Sequence, residues 1–437
     1  MRVGSDAARQ VARERPPGQR PPDRSREVSQ DGPDQVRSLQ TLPRTHRRSR
    51  GRGRHKRTSL RRRRIRAAIL LVLVGLLIWV GTSLGLALTN PTLGVSLPAR
   101  AAEWVRQNGG ASVVRWAENI WYSHHAPKVG GAPPPGAIRK PVSSTTVPVN
   151  VGPPHLPAPA PITPFASPPL PGEGDWSPAG RLVGGIPALY ETSLRPDAVH
   201  TSYVVGVAWM DTKLLKATLY SGSQIPGGGP YPNTAPVQPA AAQSLVAAFN
   251  AGFLMSTANG GYYTDGRTVI PLHPGAASAV IYKNGSITIG AWGQNGLTMS
   301  PNVVSVRQNL SLLVNNGKPV AGLTATTTTR WGATLGNAVY VWRSGAGVTA
   351  DGALVYVGGP GLNITDLANI LARAGCVRAM ELDINTTWVN FTSFKPSTPT
   401  GQATGTNGSL LVPQMAGTTA RYFQTWWARD FFTMSAR

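Results

Sequence analysis

The longest apolar segment of the chain comprises residues 67–89, which include no charged residue. At about 1.5 Å per residue, a helix of this length exceeds the roughly 30 Å hydrocarbon core of a bilayer. The segment therefore predicts a transmembrane helix. A cleaved signal peptide is the alternative, although its apolar core is shorter, about 7 to 15 residues, and lies nearer the N-terminus. Four arginines at 61–64 precede the segment, so the positive-inside rule predicts a cytoplasmic N-terminus and an extracellular C-terminal domain at the cell membrane.

Short apolar runs separated by Gly, Asn, Asp and Pro dominate the second half of the chain. Between them stand Asn-Gly and Asp-Gly dipeptides, which favour turns between antiparallel strands. We expect an α+β domain with a mixed, largely antiparallel sheet and packed helices at 240–249 and 366–374, outside the single transmembrane helix. The predicted strands are 203–209, 215–220, 279–282, 287–292, 310–314, 338–342 and 354–357, and the predicted turns are Asn284-Gly285, Asn316-Gly317 and Asp351-Gly352.

One stretch combines a strand, a helix and two carboxylates. Residues 354–357 predict a strand that ends at a glycine-rich turn, and Thr365 offers an N-cap oxygen to the next helix. The next apolar run, 376–382, predicts a buried strand with Glu381 and Asp383 at its exit. Because residues i and i+2 of a strand point to one face, about 6.6 Å apart, both acids could look into one cleft. Acid/base chemistry would explain them, and so would a strand-end cap beside a solvated charge.

Positive charge is concentrated at the N-terminus. The chain has a net charge of +24, and residues 1–66 contain 21 Lys and Arg against 6 Asp and Glu. This tail has no aromatic residue and no apolar periodicity, so it is predicted to be a disordered cytoplasmic tail. Its arginines next to the apolar segment favour contact with anionic lipid headgroups. Nucleic-acid binding is not expected, because the position of the arginines next to the apolar segment is explained by their role in setting membrane orientation.

Two segments separate the apolar helix from the predicted globular domain. Residues 90–126 predict two short juxtamembrane helices rich in Trp, which could lie at the membrane interface or pack on the domain. Residues 127–176 are dense in proline and predict an extended, semi-rigid linker that makes few contacts with the domain. The domain itself is predicted at 177–437, and the aromatic stretch 421–434 is expected to close its core.

The sequence does not predict a metal site or a nucleotide site. Cys376 is the only cysteine, and its position at the start of an apolar run predicts a core residue. No zinc-like Cys/His spacing is present, and the glycine-rich segments lack the Lys-Ser/Thr of a phosphate loop. The sequence requires no cofactor, and the question of a divalent cation stays open.

Several motifs resemble those of the phosphodiester glycosidase family, in residue types, order and spacing. The resemblance extends over roughly residues 181–437. It implies a hydrolase that cleaves the bond between the anomeric carbon of a sugar and a phosphate, here in a glycan of the cell envelope. The motifs are Ala-Phe-Asn-Ala-Gly-Phe at 248–253, Arg-Trp-Gly-Ala-Thr-Leu-Gly at 330–336, and a helix followed by Gly375-Cys376 and by Ala-Met-Glu-Leu-Asp at 379–383.

The resemblance implies roles for individual residues. Asp383 would be the general base for water or the nucleophile, and Glu381 would be the second carboxylate. Their spacing does not decide between retaining and inverting chemistry. Arg330 would hold the phosphate through a bidentate fork. Asn250, Asn385 and Thr386 would bind sugar hydroxyls or the phosphate. From the residues themselves, Tyr262 and Tyr263 are candidates for a sugar-stacking platform and Asp265 for substrate binding, although a tight turn would equally explain Asp265-Gly266.

Two departures from the family pattern leave an alternative open. Ala251 interrupts an Asn-Gly-Gly-Phe motif, and residues 384–386 are Ile-Asn-Thr where the family has glycines after the aspartate. A non-catalytic module that binds cell-wall glycan on the same fold is therefore the second hypothesis. In both cases the expected partners are a cell-envelope glycan or glycan phosphodiester, and membrane lipid through residues 67–89 and the basic tail.

Overall fold

The computed structural model describes residues 53–90, 93, 96–110, 112–114, 116–117, 128–139, 153–323, 331–332, 339–425 and 427–437. Its first element is helix α1 (Gly53–Thr89). From Leu60 onward this helix is long and apolar enough to be a membrane anchor or a signal sequence. Its leucines are exposed, with Leu71 at 71% and Leu77 at 69%.

Helix α2 (Leu97–Val105) is a short helix in the predicted juxtamembrane segment. The Ser96 side chain caps its N-terminus by accepting a hydrogen bond from the Ala99 amide, as N-cap serines do. A π-helical turn (Arg106–Gly110) ends the helix, and Gly109 adopts a positive φ there. Residues 112–114 and 116–117 are also helical, so the described residues include parts of both predicted short helices.

The domain is built from three antiparallel sheets. The large sheet has the strand order β1-β2-β3-β14-β13-β15-β11-β12, and the two five-stranded sheets have the orders β7-β6-β10-β8-β9 and β17-β16-β5-β18-β4. The predicted α+β class with a largely antiparallel sheet is confirmed. The strands are β1 (Ser177–Val183), β2 (Ile186–Leu194), β3 (Val205–Met210), β4 (Leu215–Tyr220), β5 (Leu245–Asn250), β6 (Tyr262–Thr264), β7 (Arg267–Ile270), β8 (Ala277–Tyr282), β9 (Ile287–Ala291), β10 (Val303–Gln308), β11 (Leu312–Asn315), β12 (Lys318–Pro319), β13 (Val341–Thr349), β14 (Leu354–Leu362), β15 (Cys376–Glu381), β16 (Phe391–Phe394), β17 (Gly408–Leu410) and β18 (Phe431–Ala436).

The two faces of the large sheet bury different cores. Along β14, Tyr356 joins a core shared with the five-stranded sheets, whereas Val355 and Val357 join a core on the opposite face. This alternation follows from the period of two along a strand. Strands buried on both faces show no polar alternation, which is why β14 is apolar throughout its first half.

Helix α4 (Ile364–Arg373) covers the second face of the large sheet, with Leu367 and Leu371 fully buried. Its N-cap is Asn363 rather than the predicted Thr365. The Asn363 side chain accepts a hydrogen bond from the Asp366 amide at 2.8 Å, and the Asp366 carboxylate accepts one from the Asn363 amide at 3.4 Å. The two bonds form a capping box. The predicted helix is therefore confirmed, and its start lies slightly earlier than expected.

The predicted helix at 240–249 is wrong. Helix α3 (Pro239–Ala242) is a single turn, and β5 comes directly after it. Every residue of β5 is buried, because the strand lies inside its sheet between β16 and β18. A short apolar run that is buried on both faces has no diagnostic period. Its position inside the sheet, rather than its sequence pattern, determines that this segment is a strand.

Strand β14 also runs further than predicted, through the glycines expected to end it. Gly358 pairs with Ser344 and Gly206, and Gly359 pairs with Arg343. A Cβ on Gly359 would lie 2.7 Å from the Val205 side chain, so glycine is required by close approach of β3. The glycines serve packing within the sheet rather than a turn.

The described part of the proline-rich segment differs from the expectation of few contacts. Leu156 and Ile162 are buried in the core beneath α4. The Leu156 amide donates to the Asp211 carboxylate at 2.7 Å, and the Trp176 indole donates to the Ala160 carbonyl at 2.8 Å. Apolar residues between the prolines thus cover sheet surface that would otherwise be exposed.

The three predicted turn dipeptides and the aromatic C-terminus are confirmed. The dipeptides lie between β8 and β9, β11 and β12, and β13 and β14, each an antiparallel pair. Strand β18 lies between β5 and β4, with Phe431 and Phe432 fully buried. The C-terminal strand therefore brings the residues just before it, Arg429 and Asp430, next to the end of β5.

Candidate active site

Asp383 lies two residues beyond β15, where the large sheet meets the end of β5. Its backbone is fixed by Ser344 of β13: the Ser344 amide donates to the Asp383 carbonyl at 2.8 Å, and the Asp383 amide donates to Ser344 Oγ at 3.1 Å. The carboxylate accepts a hydrogen bond from the Asn385 amide at 2.9 Å. Only 3% of the residue is exposed. The chain thus holds a rigid, buried carboxylate at this strand exit.

Burial raises the pKa of Asp383 to about 6, because a desolvated carboxylate is destabilised. The positive charges of Arg429 and Arg307 and the amides of Asn385 and Ile384 oppose this shift. The carboxyl group therefore changes its charge just below neutral pH. A group with such a pKa suits a general base or a nucleophile that works near pH 7.

Glu381 is fully buried at the end of β15. Its Oε1 accepts from Arg343 Nη1 at 2.6 Å, and Oε2 has no hydrogen-bond partner among the residues that the structure describes. Burial raises the pKa of Glu381 to about 7, the Arg343 guanidinium opposes that effect, and the charge of Asp383 adds to it. The two acids therefore influence one another, and Glu381 is held as one half of a buried ion pair.

Asn250 connects β5 to the same strand exit. Its Nδ2 donates to Ser344 Oγ at 3.0 Å, and its Oδ1 accepts from the Tyr356 hydroxyl at 2.9 Å and from the Asn390 amide at 3.1 Å. Because both side-chain polar atoms have partners inside the protein, Asn250 positions Ser344 and, through it, Asp383. The amide does not present an unused acceptor to a substrate.

The loop after Asp383 carries Asn385 and Thr386. Asn385 Oδ1 accepts from the Thr387 amide at 2.8 Å, which closes a tight turn. Thr386 is exposed at the tip of that turn, and Asn385 is half-buried. Both residues therefore lie beside Asp383, as expected from the sequence.

The aromatic candidates lie elsewhere, on the sheet that contains β6. Tyr262 is fully buried, with its hydroxyl 3.0 Å from Ser221 Oγ, so its ring offers no free face for stacking. Tyr263 is half-buried and packs against a small cluster with Val280 and Val306. Asp265 has a positive φ of 50° in the turn after β6. Arg330 lies outside the described residues.

Sequence reasoning missed a second layer of buried charge around Asp383. Arg307 of β10 and Asp430 form an ion pair with Nε and Oδ2 2.6 Å apart, and neither residue is more than 1% exposed. Arg429 is 9% exposed, and its guanidinium carbon lies 4.5 Å from the centroid of the Trp388 ring. The available signal was charged residues inside apolar segments, such as Arg307 in Val-Val-Ser-Val-Arg-Gln.

In the described part of the chain, no group of three or more His, Cys, Asp or Glu side chains is placed to hold a metal ion. The lone Cys376 is buried, and burial raises the pKa of its thiol far above the usual range.

Comparisons with known proteins point to one family. Residues 243–415 match the model of the phosphodiester glycosidase family. The fold is similar to the catalytic domain of zebrafish N-acetylglucosamine-1-phosphodiester alpha-N-acetylglucosaminidase auto-inhibited by its pro-peptide, with 16% identity over 59% of this chain and 87% of that chain and a TM-score of 0.37. It is also similar to a hypothetical protein from Synechocystis, with 12% identity over 58% of this chain and 63% of that chain and a TM-score of 0.32. No curated protein has significant sequence similarity to the chain.

The matched segment includes Asn250, Glu381 and Asp383, and it ends before Arg429. The match supports a hydrolase-like enzyme. The match confirms, over residues 243–415, the resemblance to the phosphodiester glycosidase family that the sequence motifs predicted.

Proposed function

We propose that this chain is a membrane-anchored hydrolase that faces the outside of the cell and cleaves a sugar-1-phosphodiester bond in a cell-envelope glycan. The observation that carries the proposal is Asp383, a buried carboxylate with a pKa of about 6 inside the family segment and under the influence of Arg429 and Arg307. Such a group has a catalytic use that an ordinary loop aspartate lacks.

The chemistry fits a phosphodiester better than an ordinary glycoside. A phosphomonoester is already a good leaving group, so the site needs little general-acid help. It does need positive charge to hold the phosphate and a base or nucleophile on the sugar side. Asp383 would take the second role in its ionised form. Glu381, bound to Arg343 at 2.6 Å, would act by fixing charge beside Asp383 rather than by donating a proton.

The proposed localisation has its own evidence. It rests on the apolar part of α1 (residues 60–89) and on the arginines that precede residue 67. The phosphate role of Arg330 remains a prediction from the family resemblance.

A non-catalytic glycan-binding module is the second candidate, and one observation favours it. Ile384 packs against the cluster of Phe253, Ala258 and Leu310, so a bulky side chain fills space where the family has a glycine. This changes the loop that carries Asp383, and it could preserve binding while hindering catalysis.

The test is incubation of the full chain, purified in detergent, with a panel of sugar-1-phosphodiesters and with cell-wall polymers. We expect release of a reducing sugar together with a phosphomonoester from at least one of them. Glycan binding without either product across the panel would reject the hydrolase and establish the binding module.

A further inference from the structure

Arg429 has an unusual environment for an arginine. It is 9% exposed, and its buried Nη1 atom has no hydrogen-bond partner among the residues that the structure describes. Leaving a charged donor both buried and unpaired is costly, so proteins normally avoid it. Arg307, on β10 of the other five-stranded sheet, shows the usual solution, since its guanidinium donates to Asp430, Gln308 and Phe253. We therefore expect the unpaired Nη1 of Arg429 to bind a ligand.

The backbone around Arg429 is fixed. The Ser223 amide donates to the Trp427 carbonyl at 2.8 Å, and the Ile225 amide donates to the Ala428 carbonyl at 3.0 Å. On the other side, the Ala251 amide donates to the Asp430 carbonyl at 3.2 Å. The segment is thus held between two loops. An arginine on such a support loses little entropy when it binds a ligand.

The side chain of Arg429 is oriented toward the Asp383 loop. Its guanidinium lies over the ring of Trp388, whose amide donates to the Asn385 carbonyl at 2.9 Å in the same loop. The charge of Asp383 in turn raises the pKa of Arg429 against the effect of burial. The charges of Arg429 and Asp383 therefore interact, although 46 positions separate the two residues in sequence.

We propose that Arg429 binds the phosphate group of the substrate, with its unpaired Nη1 donating to a phosphate oxygen beside Asp383. This assignment rests on the proposed function and adds to it a phosphate ligand outside the matched family segment. A planar guanidinium with free donors suits a phosphate, whereas a neutral sugar hydroxyl would not offset the charge. Stacking on Trp388 fixes the plane of the guanidinium, whose Nη1 has no hydrogen-bond partner among the described residues.

The charges near Arg429 agree with an anion of limited charge. Burial lowers its pKa, the carboxylates of Asp383, Glu103 and Asp430 raise it, and Arg307 lowers it. Because these carboxylates partly offset the positive charge of the guanidinium, we expect the site to favour a phosphodiester monoanion or a monoester over a highly charged polyphosphate. The same balance predicts weak affinity for a simple anion compared with a sugar phosphate that makes further contacts.

The test measures binding separately from turnover. Inorganic phosphate and a sugar 1-phosphate are titrated calorimetrically into the full chain in detergent, for the wild type, Arg429→Lys and Arg429→Gln. Loss of a charged hydrogen bond should weaken sugar 1-phosphate binding at least about 10-fold in Arg429→Gln. Arg429→Lys keeps the charge but loses the planar fork, so it should fall between the two.

Arg373→Gln is the matched control, because Arg373 also stacks on an aromatic ring, that of Phe165 at 3.6 Å, but is exposed on α4. Its affinity should equal that of the wild type. Thermal unfolding of each variant shows whether the domain is folded at the titration temperature. If folded Arg429→Gln or, should that variant not fold, folded Arg429→Lys binds sugar 1-phosphate as tightly as the wild type, the proposal is wrong. The same holds if the wild type binds neither probe.

Turnover separates this proposal from the proposed function. A wild type that binds sugar 1-phosphate through Arg429 but cleaves no phosphodiester supports the phosphate site and rejects the hydrolase. A wild type that cleaves the diester, together with an Arg429→Lys variant of unchanged kcat/KM and Kd, rejects the phosphate site alone.

Discussion

Arg307 and Asp430 form a buried ion pair, 2.6 Å long, between β10 of one five-stranded sheet and the residue that precedes β18 of the other. Neither side chain reaches solvent to an appreciable extent. The pair therefore joins two sheets that share no strand. Arg307 is also one of the charges that lower the pKa of Asp383, so the pair links fold stability to the electrostatics of the site.

Asp430→Asn removes the negative partner and leaves Arg307 buried without a counter-charge. Because breaking a buried ion pair from one side is strongly destabilising, the free energy of unfolding should fall by about 3 to 5 kcal/mol. Urea unfolding of the full chain in detergent, followed by tryptophan fluorescence, measures this. Asp351→Asn, in the exposed turn between β13 and β14, is the control and should change little. Equal stability of the two variants would show that the pair does not hold the sheets together.

Asp383→Asn is expected to stabilise the domain at neutral pH. The folded pKa of about 6 lies above the ordinary value of 3.8, so the folded state keeps its proton where the unfolded chain has released it. The ionisation penalty is absent below about pH 4, grows between pH 4 and 6, and reaches about 3 kcal/mol above that range. Wild type and variant should be equally stable near pH 3.5, and the variant more stable at pH 8.

Unfolding free energies of both proteins at several pH values check this sign. A variant that is less stable than the wild type at pH 8 would mean that Asp383 is held by favourable contacts and is not a strained functional group.

Ser344→Ala tests how the site is positioned. Its hydroxyl accepts from Asn250 Nδ2 at 3.0 Å and from the Asp383 amide at 3.1 Å, so the variant leaves two buried donors unpaired. We expect a loss of about 1 to 3 kcal/mol in unfolding free energy and faster amide exchange at residues 382–385. Ser409→Ala, at an exposed position of β17, is the control. Unchanged exchange in Ser344→Ala would remove the serine from the positioning network.

How far the sequence predicts the fold depends on whether the signal is local. The apolar spacing of residues 367–374 predicted helix α4, although the cap proved to be Asn363 rather than Thr365. The Asn-Gly and Asp-Gly dipeptides predicted three hairpins, because turn chemistry acts over a few residues. Strand β5 was predicted as a helix because Leu-Val-Ala-Ala-Phe-Asn is buried on both faces and has no diagnostic period.

The site residues also differ in whether their signal is local in sequence. Asp383, Glu381 and Asn385 stand together in sequence, so a motif could point to them. Arg307 lies on β10 and Arg429 lies just before β18, far from Asp383 in sequence. Only the pairing of β18 with β5 and of β10 within its sheet brings them near. Asn250 was predicted to bind substrate, but its side-chain oxygen is occupied by Tyr356 and Asn390, which no single-sequence pattern reveals.

The topology prediction is tested in intact spheroplasts. If the positive-inside rule holds, added protease digests the C-terminal domain and spares an epitope placed before residue 60. Digestion of that epitope with protection of the domain would reverse the orientation. Recovery of the mature chain without residues 60–89 would show that the apolar helix is a cleaved signal sequence.

The central claim is that the Asp383 carboxylate performs the chemistry, and turnover of a sugar-1-phosphodiester by Asp383→Asn tests it most directly. The amide keeps the volume of the side chain but loses its basic oxygen, so kcat should fall at least about 100-fold while binding of sugar 1-phosphate is retained. Wild-type kcat/KM should rise with pH to a plateau with a midpoint near the Asp383 pKa of about 6, and Asp351→Asn should follow the same profile. Wild-type turnover in Asp383→Asn, with an unchanged pH profile, would contradict the account.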